Sequence, residues 1–530
     1  AGAALALTAA AATHAAPAAM PSGAVGCHVS WPVSTYDGTR QPATTTQRWV
    51  PCVTTTRLSM SETSIGVTSS GALFFSPAGD ENHLAVSHDH GATWSLVAPT
   101  HAEQTALWNT VDPEVTVDRR TGRLFWVHVT GPTRTLPVVV DQSPIPPPVG
   151  PPLATAVAFA YGFQVYSSSD EGRTWTTADY RTAPITDWEK IVVGPPPAGA
   201  AQPRGYPDVA YVCGNSPDEA IGPGRFCYRS LDGGASFAPA GFVYPSASAP
   251  KACFAINSDT GAVADDGSLY QPITCADGAY IAVSHDEGST YTWHLVAGAP
   301  GSTVPDSGRT EMTLDDAGNL YAAWLDAGRV RLSVSRDGAR TWSAPRTASP
   351  PQLHQIALPA VVGGPAGHVG LTYYGSAAAS GPMAAFLTQT LDGLDPDPVF
   401  TTASLEEPGH TSVAATGLAS GTPRADYIGA TYDPDGVLWA AVDRQTGPAG
   451  ADGLLTTVGV VGRLAQLGAP GPTTARPPAK HRREPHVTTP GGSLAATGLD
   501  VGALGGPAVV LLGTALIGIA RLRRRRPAER

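Results

Sequence analysis

The sequence predicts an all-β protein, namely a β-propeller of four-stranded antiparallel blades, and three observations lead to this prediction. The chain has 59 Gly and 50 Pro in 530 residues without a Gly-X-Y period, which favours short strands and turns over long helices. A turn motif containing Ser, Asp and Gly recurs along the chain. Pairs of strand-like stretches joined by a turn precede these copies, such as VTVDRRTG followed by RLFWV from Val115.

The turn motif reads Ser-x-Asp-x-Gly-x-Thr/Ser followed by Trp or Phe. In a tight hairpin turn, the Asp and Ser side chains hydrogen-bond backbone groups, the Gly adopts a positive φ, and the aromatic ring packs between neighbouring sheets. We therefore interpret its aspartates as structural residues. In the fourth copy the aromatic residue is assigned to Trp293, displaced by two positions, and the fifth copy has Ala339 in place of Gly. The five well-kept copies contain Asp89, Asp170, Asp232, Asp286 and Asp337, and an eroded sixth copy contains Asp392.

Two strand pairs, with the turn motif in the second pair, make one four-stranded sheet. Seven such units fit between residues 61 and 467, although six remain an alternative. Small sheets repeated at intervals of roughly 50 to 80 residues indicate blades around a central channel, and an open solenoid is the competing arrangement. The seventh unit lacks a clear fourth strand. We expect residues 44–58 (TTTQRWVPCVTTTRL) to supply it and to close the ring.

The two ends of the chain differ from this body. Residues 1–20 are rich in Ala and are interpreted as the remnant of a secretory signal peptide, with a disordered tail as the alternative. Residues 21–60 form an N-terminal segment that carries the ring-closing strand. Residues 468–493 are rich in Pro, Gly, Thr and Arg and predict an extended linker. Residues 501–520 are uncharged and apolar, which is long enough for a transmembrane helix, and an Arg-rich tail follows them.

The charge of the chain is unevenly distributed along the sequence. From residue 470 onward ten basic residues face three acidic ones, so the preceding 469 residues carry about −18 of the total net charge of −11. Such a body repels a phosphate backbone, and nucleic acid is not an expected partner.

Six cysteines in an exported chain favour three disulfides, for which 15 pairings are open. Local spacing suggests Cys27 with Cys52, Cys213 with Cys227, and Cys253 with Cys275.

The C-terminus contains a recognisable signal. Leu494, two alanines, Thr497 and Gly498 form an LAxTG sequence immediately before the apolar run and the basic tail. This order resembles the cell-wall sorting signal of Gram-positive bacteria, in which a sortase cuts between Thr and Gly and joins the Thr to peptidoglycan. The resemblance implies a cell-surface protein that contacts the membrane only through the helix of its precursor. An ordinary single-span membrane anchor is the alternative.

The polar residues that begin the innermost strands are the candidate site, because these strand ends surround one mouth of a propeller channel. Arg309 with Glu311, and Arg424 with Asp426, are two Arg-x-acid sequences at equivalent positions of two blades, and Tyr427 follows the second. Ordinary solvated surface charge is the competing interpretation. The other candidates at strand starts are Glu62, Asp112, Glu114, Asp187, Glu189, Lys190, His354 and Gln355.

The turn motif resembles the Asp-box, or bacterial neuraminidase repeat, of sialidase-type propellers over most of residues 60–465. Sialidases hold a substrate carboxylate with three Arg, use a Tyr nucleophile assisted by Glu, and use an Asp as acid and base. The resemblance implies Tyr427, Glu311 and Asp112 as catalytic residues. The sequence has no Arg-Ile-Pro, the motif of the family's first Arg, and it predicts seven blades where sialidases have six. The implied substrate-binding residues are Arg309, Arg424, Asp426, Glu114 and Asp187.

Three functions follow as hypotheses. The leading one is an exported, wall-anchored, sialidase-like propeller that recognises extracellular glycans or glycoproteins. The alternatives are an exo-α-sialidase and a protein-binding adhesion scaffold. No cofactor or metal is expected: the chain has no C-x-x-C, H-E-x-x-H, G-x-S-x-G or EF-hand-like loop, although Asp112, Glu114, Asp187 and Glu189 leave a hard cation such as calcium as a further alternative. A Pro-rich insertion at residues 136–152 is expected at the rim of the mouth or as an inert loop.

Overall fold

A computed structural model shows seven antiparallel β-sheets of four or five strands arranged radially around one axis, and an additional two-stranded sheet. The structure describes residues 26–27, 33–37, 49–56, 58, 63–76, 83–99, 113–129, 134–139, 154–159, 162–180, 183, 185, 187–200, 203–218, 222–246, 248–250, 253–254, 260–275, 277–296, 309–379, 383–406, 428–445 and 457–466. Within these ranges all regular structure is β, and no helix is long and apolar enough to cross a membrane. The predicted signal remnant, the linker, the 501–520 helix, and Leu494, Thr497 and Gly498 all lie outside them.

The strands are numbered in the order in which they occur along the chain. The first seventeen are β1 (Gly26–Cys27), β2 (Val33–Asp37), β3 (Trp49–Thr55), β4 (Ile65–Val67), β5 (Leu73–Phe75), β6 (Leu84–Ser87), β7 (Ser95–Val97), β8 (Glu114–Val117), β9 (Leu124–Val129), β10 (Arg134–Val139), β11 (Ala154–Phe159), β12 (Phe163–Ser168), β13 (Thr176–Tyr180), β14 (Asp187–Gly194), β15 (Val209–Asp218), β16 (Gly222–Ser230) and β17 (Ala238–Tyr244). They are followed by β18 (Cys253–Phe254), β19 (Ala262–Val263), β20 (Leu269–Cys275), β21 (Gly278–Ser284), β22 (Thr292–Leu295), β23 (Thr310–Leu314), β24 (Leu320–Asp326), β25 (Arg329–Ser335), β26 (Arg346–Thr347), β27 (Gln355–Gly363), β28 (Val369–Ser376), β29 (Ala384–Thr390), β30 (Val399–Ser404), β31 (Gly429–Tyr432), β32 (Leu438–Gln445) and β33 (Thr457–Gln466).

The seven radial sheets are the blades that the sequence predicts. From the axis outward, blades 1 to 3 are β4–β7, then β8, β9, β12 and β13, then β14–β17. In blade 4, β18 and β19 pair with the two ends of β20, which is followed by β21 and β22. Blade 5 is β23–β26. Blade 6 is β27–β30, and blade 7 is β31–β33 followed by β3. The inner strands β4, β8, β14, β19, β23, β27 and β31 each contact the next, and β31 contacts β4. The ring is therefore closed, and the open solenoid is excluded.

The N-terminal segment contributes strands to the last two blades, 6 and 7. Strand β3 pairs with β33 over its whole length, and it lies within residues 44–58, the segment that the sequence assigned to this position. Strand β2 adds a fifth strand to blade 6 by pairing with β30, and β1 adds a fifth strand to blade 7 by pairing with β3. These two extra strands were not predicted. We refer to β1, β2 and β3 as the N-terminal strap.

The blade interfaces are largely apolar. The second strands β9 and β24 are buried along their whole length, because neighbouring blades cover both faces of a blade. Aromatic residues from the turn motif fill these interfaces: Trp94, for example, packs with Trp439 and Val461 of blade 7. In the fourth copy Tyr291, not Trp293, occupies the buried position, which corrects the sequence-based assignment. The equivalent residues are Trp94, Trp175, Phe237, Tyr291 and Trp342.

The five well-kept turns share one hydrogen-bond pattern. In the second copy the Asp170 carboxylate accepts bonds from the Ser168 hydroxyl (2.9 Å) and from the Thr174 amide and hydroxyl (2.8 and 2.7 Å). The Gly172 amide donates to the Ser168 hydroxyl at 2.8 Å. Partial burial opposes ionisation, but these bonds together outweigh it and lower the pKa of Asp170. The turns centred on Asp89, Asp232, Asp286 and Asp337 repeat the pattern.

The backbone conformation of the turn explains why the motif contains a glycine. In the second copy Glu171 and Gly172 both have a positive φ, at 59° and 80°, and a Cβ on Gly172 would lie 3.1 Å from the Trp175 ring. In the fifth copy Ala339 stands at the glycine position with a φ of 69°. A left-handed conformation disfavours residues with a Cβ, so this turn is held in place by its hydrogen bonds and by packing.

Two of the suggested disulfides are formed. Cys213 joins Cys227 between neighbouring strands β15 and β16, and Cys253 joins Cys275 between β18 and β20. The backbone of Cys27 pairs with that of Cys52 across β1 and β3, and Cys52 is disulfide-bonded. No described cysteine is free. Each bond links directly opposed residues of adjacent strands, as the local spacing suggested.

Candidate functional site

The inner strands of all blades begin at the same face of the propeller, which we call the mouth face. Five charged residues lie at or near these starts: Glu114 on β8, Glu189 and Lys190 on β14, and Arg309 with Glu311 at β23. Their exposed fractions are 8%, 0%, 3%, 6% and 6%. Charged side chains are rarely buried unless they are paired, so a group of them at the axis requires a specific reason. With Trp188 they form what we call the mouth cluster.

Trp188 is the centre of this cluster. Its indole ring lies 4.2 Å from the Arg309 guanidinium carbon and 5.2 Å from the Lys190 ammonium nitrogen, measured to the ring centroid. Both distances are within the range of cation–π attraction. Arg309 belongs to blade 5 and Trp188 to blade 3, so the contact joins two blades that are not neighbours. The indole therefore holds two cationic groups from different blades at the mouth face.

The sequence did not identify Trp188. Strict alternation along β14 would place it on the face opposite Asp187 and Glu189. The structure instead has a β-bulge between Asp187 and Lys190, and Trp188 adopts a positive φ of 52°. A bulge reorients side chains, and residues with a positive φ occur frequently at functional sites. An aromatic residue between charged candidates in the sequence DWEK is the only signal that pointed to it.

Glu114 connects three blades at the mouth face. Its carboxylate accepts one hydrogen bond from the Ile191 amide on β14 and another from the Thr260 hydroxyl in blade 4, both at 2.7 Å. The Thr260 carbonyl in turn accepts a bond from the Gln271 side chain at 3.2 Å. Charge-assisted bonds of this kind hold a carboxylate in a fixed orientation. Glu114 is therefore anchored between blades 2, 3 and 4.

Glu189 and Arg225 also form hydrogen bonds to neighbouring blades. The Glu189 carboxylate accepts a bond from the Val129 amide of blade 2 at 2.7 Å. The Arg225 guanidinium, which is fully buried in blade 3, donates to the Gln271 carbonyl oxygen of blade 4 at 2.9 Å. These bonds link blade 2 with blade 3 and blade 3 with blade 4.

A different contact spans the axis at the far face. Arg119, in the turn between β8 and β9, forms an ion pair with Asp316 of blade 5 at 3.0 Å and donates to the Gly363 carbonyl of blade 6 at 3.2 Å. Arg119 and Asp316 lie in the turns that follow inner strands, and Gly363 is the last residue of β27. Arg119 therefore bridges blades on opposite sides of the channel, away from the mouth cluster.

The other predicted site residues have varied positions. His354 is exposed and precedes β27, and Gln355 begins that strand. Asp187 begins β14, and only its backbone is described. The insertion at residues 136–152 contains part of β10, which pairs with β11 between the second and third strands of blade 2, on the mouth face. The candidates Glu62, Asp112, Arg424, Asp426 and Tyr427 lie outside the described residues.

The mouth cluster offers donors, acceptors and an aromatic ring within one site. Arg309 and Lys190 supply hydrogen-bond donors, whereas the carboxyl groups of Glu114 and Glu311 supply acceptors. A polyhydroxylated ligand uses both kinds of group, and a carboxylated one additionally uses the cations. Within the described ranges, no three His, Cys, Asp or Glu side chains are grouped so that they hold a metal ion.

Comparisons with known proteins found no matching family model and no matching curated protein. Among solved structures, the chain is similar to a protein of unknown function from Dyadobacter fermentans (14% identity, TM-score 0.39), with 78% of this chain and 99% of that chain covered. It is similar to a mutant of the NanB sialidase of Streptococcus pneumoniae at 8% identity and a TM-score of 0.40, covering 74% and 83%. A Ruminococcus gnavus intramolecular trans-sialidase matches at 12% identity and a TM-score of 0.37, covering 78% and 95%. The strand pairing of this chain itself establishes the seven-bladed β-propeller.

Proposed function

We propose that this propeller is an exported protein that binds an extracellular glycan, free or on a glycoprotein, at its mouth cluster. The observation that carries the proposal is the burial of five charged residues and Trp188 around the axis where three inner strands begin. The main contacts between blades are apolar clusters, for example between blades 2 and 3 and between blades 4 and 5. A ligand-binding role explains why charges occupy this position.

The geometry suits recognition of a sugar. Trp188 restrains the Arg309 guanidinium, so less side-chain entropy is lost when that group forms hydrogen bonds with a ligand. Glu114 is oriented by its two hydrogen bonds, so its carboxylate is held in one position at the mouth face. Binding sites of this type combine a few fixed polar groups with an aromatic ring.

The test is a glycan array probed with the purified protein, followed by titration of the strongest glycan. Arg309→Lys keeps the positive charge but loses the planar donor fork, so we expect at least a roughly tenfold weaker affinity. The matched control is Arg346→Lys on the outer strand β26, where the residue forms a partly exposed ion pair with Asp397. That variant should bind normally. If no glycan binds, or if Arg309→Lys binds as tightly as the parent, the mouth cluster is not a glycan site.

The same assay separates the alternative functions. Release of a fluorophore from a fluorogenic sialoside, abolished by Tyr427→Phe, would identify an exo-α-sialidase. Specific retention of a protein after enzymatic removal of its glycans would instead identify an adhesion scaffold. Glycan binding without turnover supports the proposal as stated.

We further propose that the mature protein is attached to the cell wall through Thr497, after cleavage at the Leu494–Gly498 motif. The position of this motif directly before an apolar run and an Arg-rich tail supports the proposal. Mass spectrometry of the wall fraction should find peptides that end at Thr497 and carry a peptidoglycan fragment. Recovery of the intact tail, including residues 521–530, from the mature protein would show that the motif is not used.

A further inference from the structure

The contact between blades 6 and 7 contains a buried acid. Asp443, on β32 of blade 7, is 4% exposed, and Tyr374 on β28 of blade 6 is fully buried. The Tyr374 hydroxyl lies 2.6 Å from a carboxylate oxygen of Asp443, 2.9 Å from its carbonyl oxygen and 3.0 Å from its amide nitrogen. One tyrosine of blade 6 therefore contacts both the backbone and the side chain of an acid in blade 7.

The surroundings of this acid are largely apolar. Tyr374 belongs to the cluster that joins the two blades, together with Leu387 and Leu405 of blade 6 and Val442 and Val460 of blade 7. A neutral phenol is the only side chain shown to donate to the Asp443 carboxylate among the described contacts. Burial in such a place strongly destabilises an ionised carboxylate, because its charge loses contact with water. A protonated carboxyl group carries no charge and is destabilised much less.

The charged and titratable groups that face this contact are few. Glu406 of blade 6 lies close enough to Tyr374 to affect its ionisation, and it accepts a bond from the Ala385 amide. Arg444 follows Asp443 and donates to the Thr55 hydroxyl of the N-terminal strap at 2.7 Å. The strand opposite Asp443 on the other side presents Gly459. Glu406 and Asp443 are both acids, so Glu406 adds no stabilisation to an ionised Asp443.

We propose that the contact between blades 6 and 7 is a proton-dependent joint of the ring, which is held more firmly when the Asp443 carboxyl is protonated. The joint lies where the ring closes, since the N-terminal strap completes blade 7 and extends blade 6. Ionisation of Asp443 leaves a desolvated charge between the two blades and favours their separation. The stability of the contact between blades 6 and 7 then depends on the pH of the surrounding medium.

The direction of the pH dependence follows from the burial of the acid. Desolvation raises the pKa of Asp443 from 3.8 to about 6, although the bond from Tyr374 opposes this change. Because the folded-state pKa exceeds the unfolded value, this contribution to stability is complete below about pH 4 and is lost as the pH rises through about 6. A difference of about two pKa units corresponds to at most about a hundredfold change in the opening equilibrium.

Hydrogen exchange resolved by peptide tests the joint. We expect amides of β28 and β32 to open up to roughly thirtyfold more often at pH 8 than at pH 4.5, after correction for intrinsic exchange. Asp443→Asn keeps an acceptor for Tyr374 without a charge, so this variant should lose the pH response of these two strands. Tyr374→Phe removes the donor to the ionised carboxylate and should enlarge the response.

Asp208 provides the matched control. Burial also raises its pKa to about 6, and it is paired with Arg120 in the contact between blades 2 and 3. Asp208→Asn should leave the pH response of β28 and β32 unchanged. If the response persists in Asp443→Asn, or if it disappears in Asp208→Asn, Asp443 does not control the joint. Should Asp443→Asn fail to fold, an unchanged response in Tyr374→Phe would equally overturn the proposal.

Discussion

Deletion of residues 1–58 is expected to abolish cooperative folding. The deletion removes β3, which supplies the fourth strand of blade 7, and β2, whose Tyr36 is buried and donates to the Ala348 carbonyl at 2.6 Å. It also removes the bond from the Thr56 hydroxyl to the Gly459 carbonyl. Strand β33 would then present a long unpaired edge. We expect a loss of more than about 5 kcal/mol, which is comparable to the whole stability of many domains.

The matched control for this deletion is removal of residues 1–25, which leaves every strand of the N-terminal strap in place. That shorter deletion should melt within a few degrees of the parent protein. Differential scanning calorimetry and light scattering measure both outcomes. A cooperative transition at an unchanged temperature in the 59–530 protein would show that the ring closes without the strap.

The second large effect is expected for Asp170→Ala. This change removes an acceptor from the Ser168 hydroxyl and from the amide and hydroxyl of Thr174. Because bonds to a charged acceptor contribute more than neutral ones, we expect a loss of about 2 to 3 kcal/mol in the free energy of unfolding. The eroded sixth turn is the control: Asp392 accepts only from Thr390 and the Val399 amide among the described contacts, so Asp392→Ala should cost less. Equal losses would contradict this account.

The same turns set the response of the protein to acid. Hydrogen bonds from the Thr341 hydroxyl and amide lower the pKa of Asp337 from 3.8 to about 2. The folded-state pKa is below the unfolded value, so this contribution is present above about pH 4 and is lost as the pH falls toward 2. Asp170→Ala should therefore make the loss of stability below pH 4 shallower. Since Asp443 acts in the opposite direction above pH 4, we expect greatest stability at mildly acidic pH.

Repetition made most of the fold predictable. The Ser-x-Asp-x-Gly motif depends on bonds within about eight residues, so its turn geometry is encoded locally, and counting its copies with the strand pairs gave seven blades. The missing strand of the seventh unit identified the position of β3. The extra strands β1 and β2 could not be predicted, since a fifth strand satisfies an outer edge and leaves no periodic pattern in its own sequence.

The candidate site was predictable only in part. The rule that inner-strand starts surround the mouth selected Glu114, Glu189, Lys190 and Arg309, and the structure places these four residues at or next to the starts of inner strands. Trp188 was missed because a β-bulge interrupts the alternation on which the strand-based inference relies. Tyr291 was missed in favour of Trp293 because both are aromatic, and only packing distinguishes a ring inside a blade interface from one at its margin.

The sequence by itself determined the class of fold, the number of blades, the hydrogen-bonded turns and the spacing of the cysteines, since each depends on residues close together in the chain. Only the tertiary structure decided which charged groups meet at the axis, that Arg309 of blade 5 reaches Trp188 of blade 3, and that Asp443 is buried against Tyr374. Those contacts join blades that are far apart in sequence. Ring closure brings the contacting residues together, and no local pattern in the sequence indicates how far apart two blades lie.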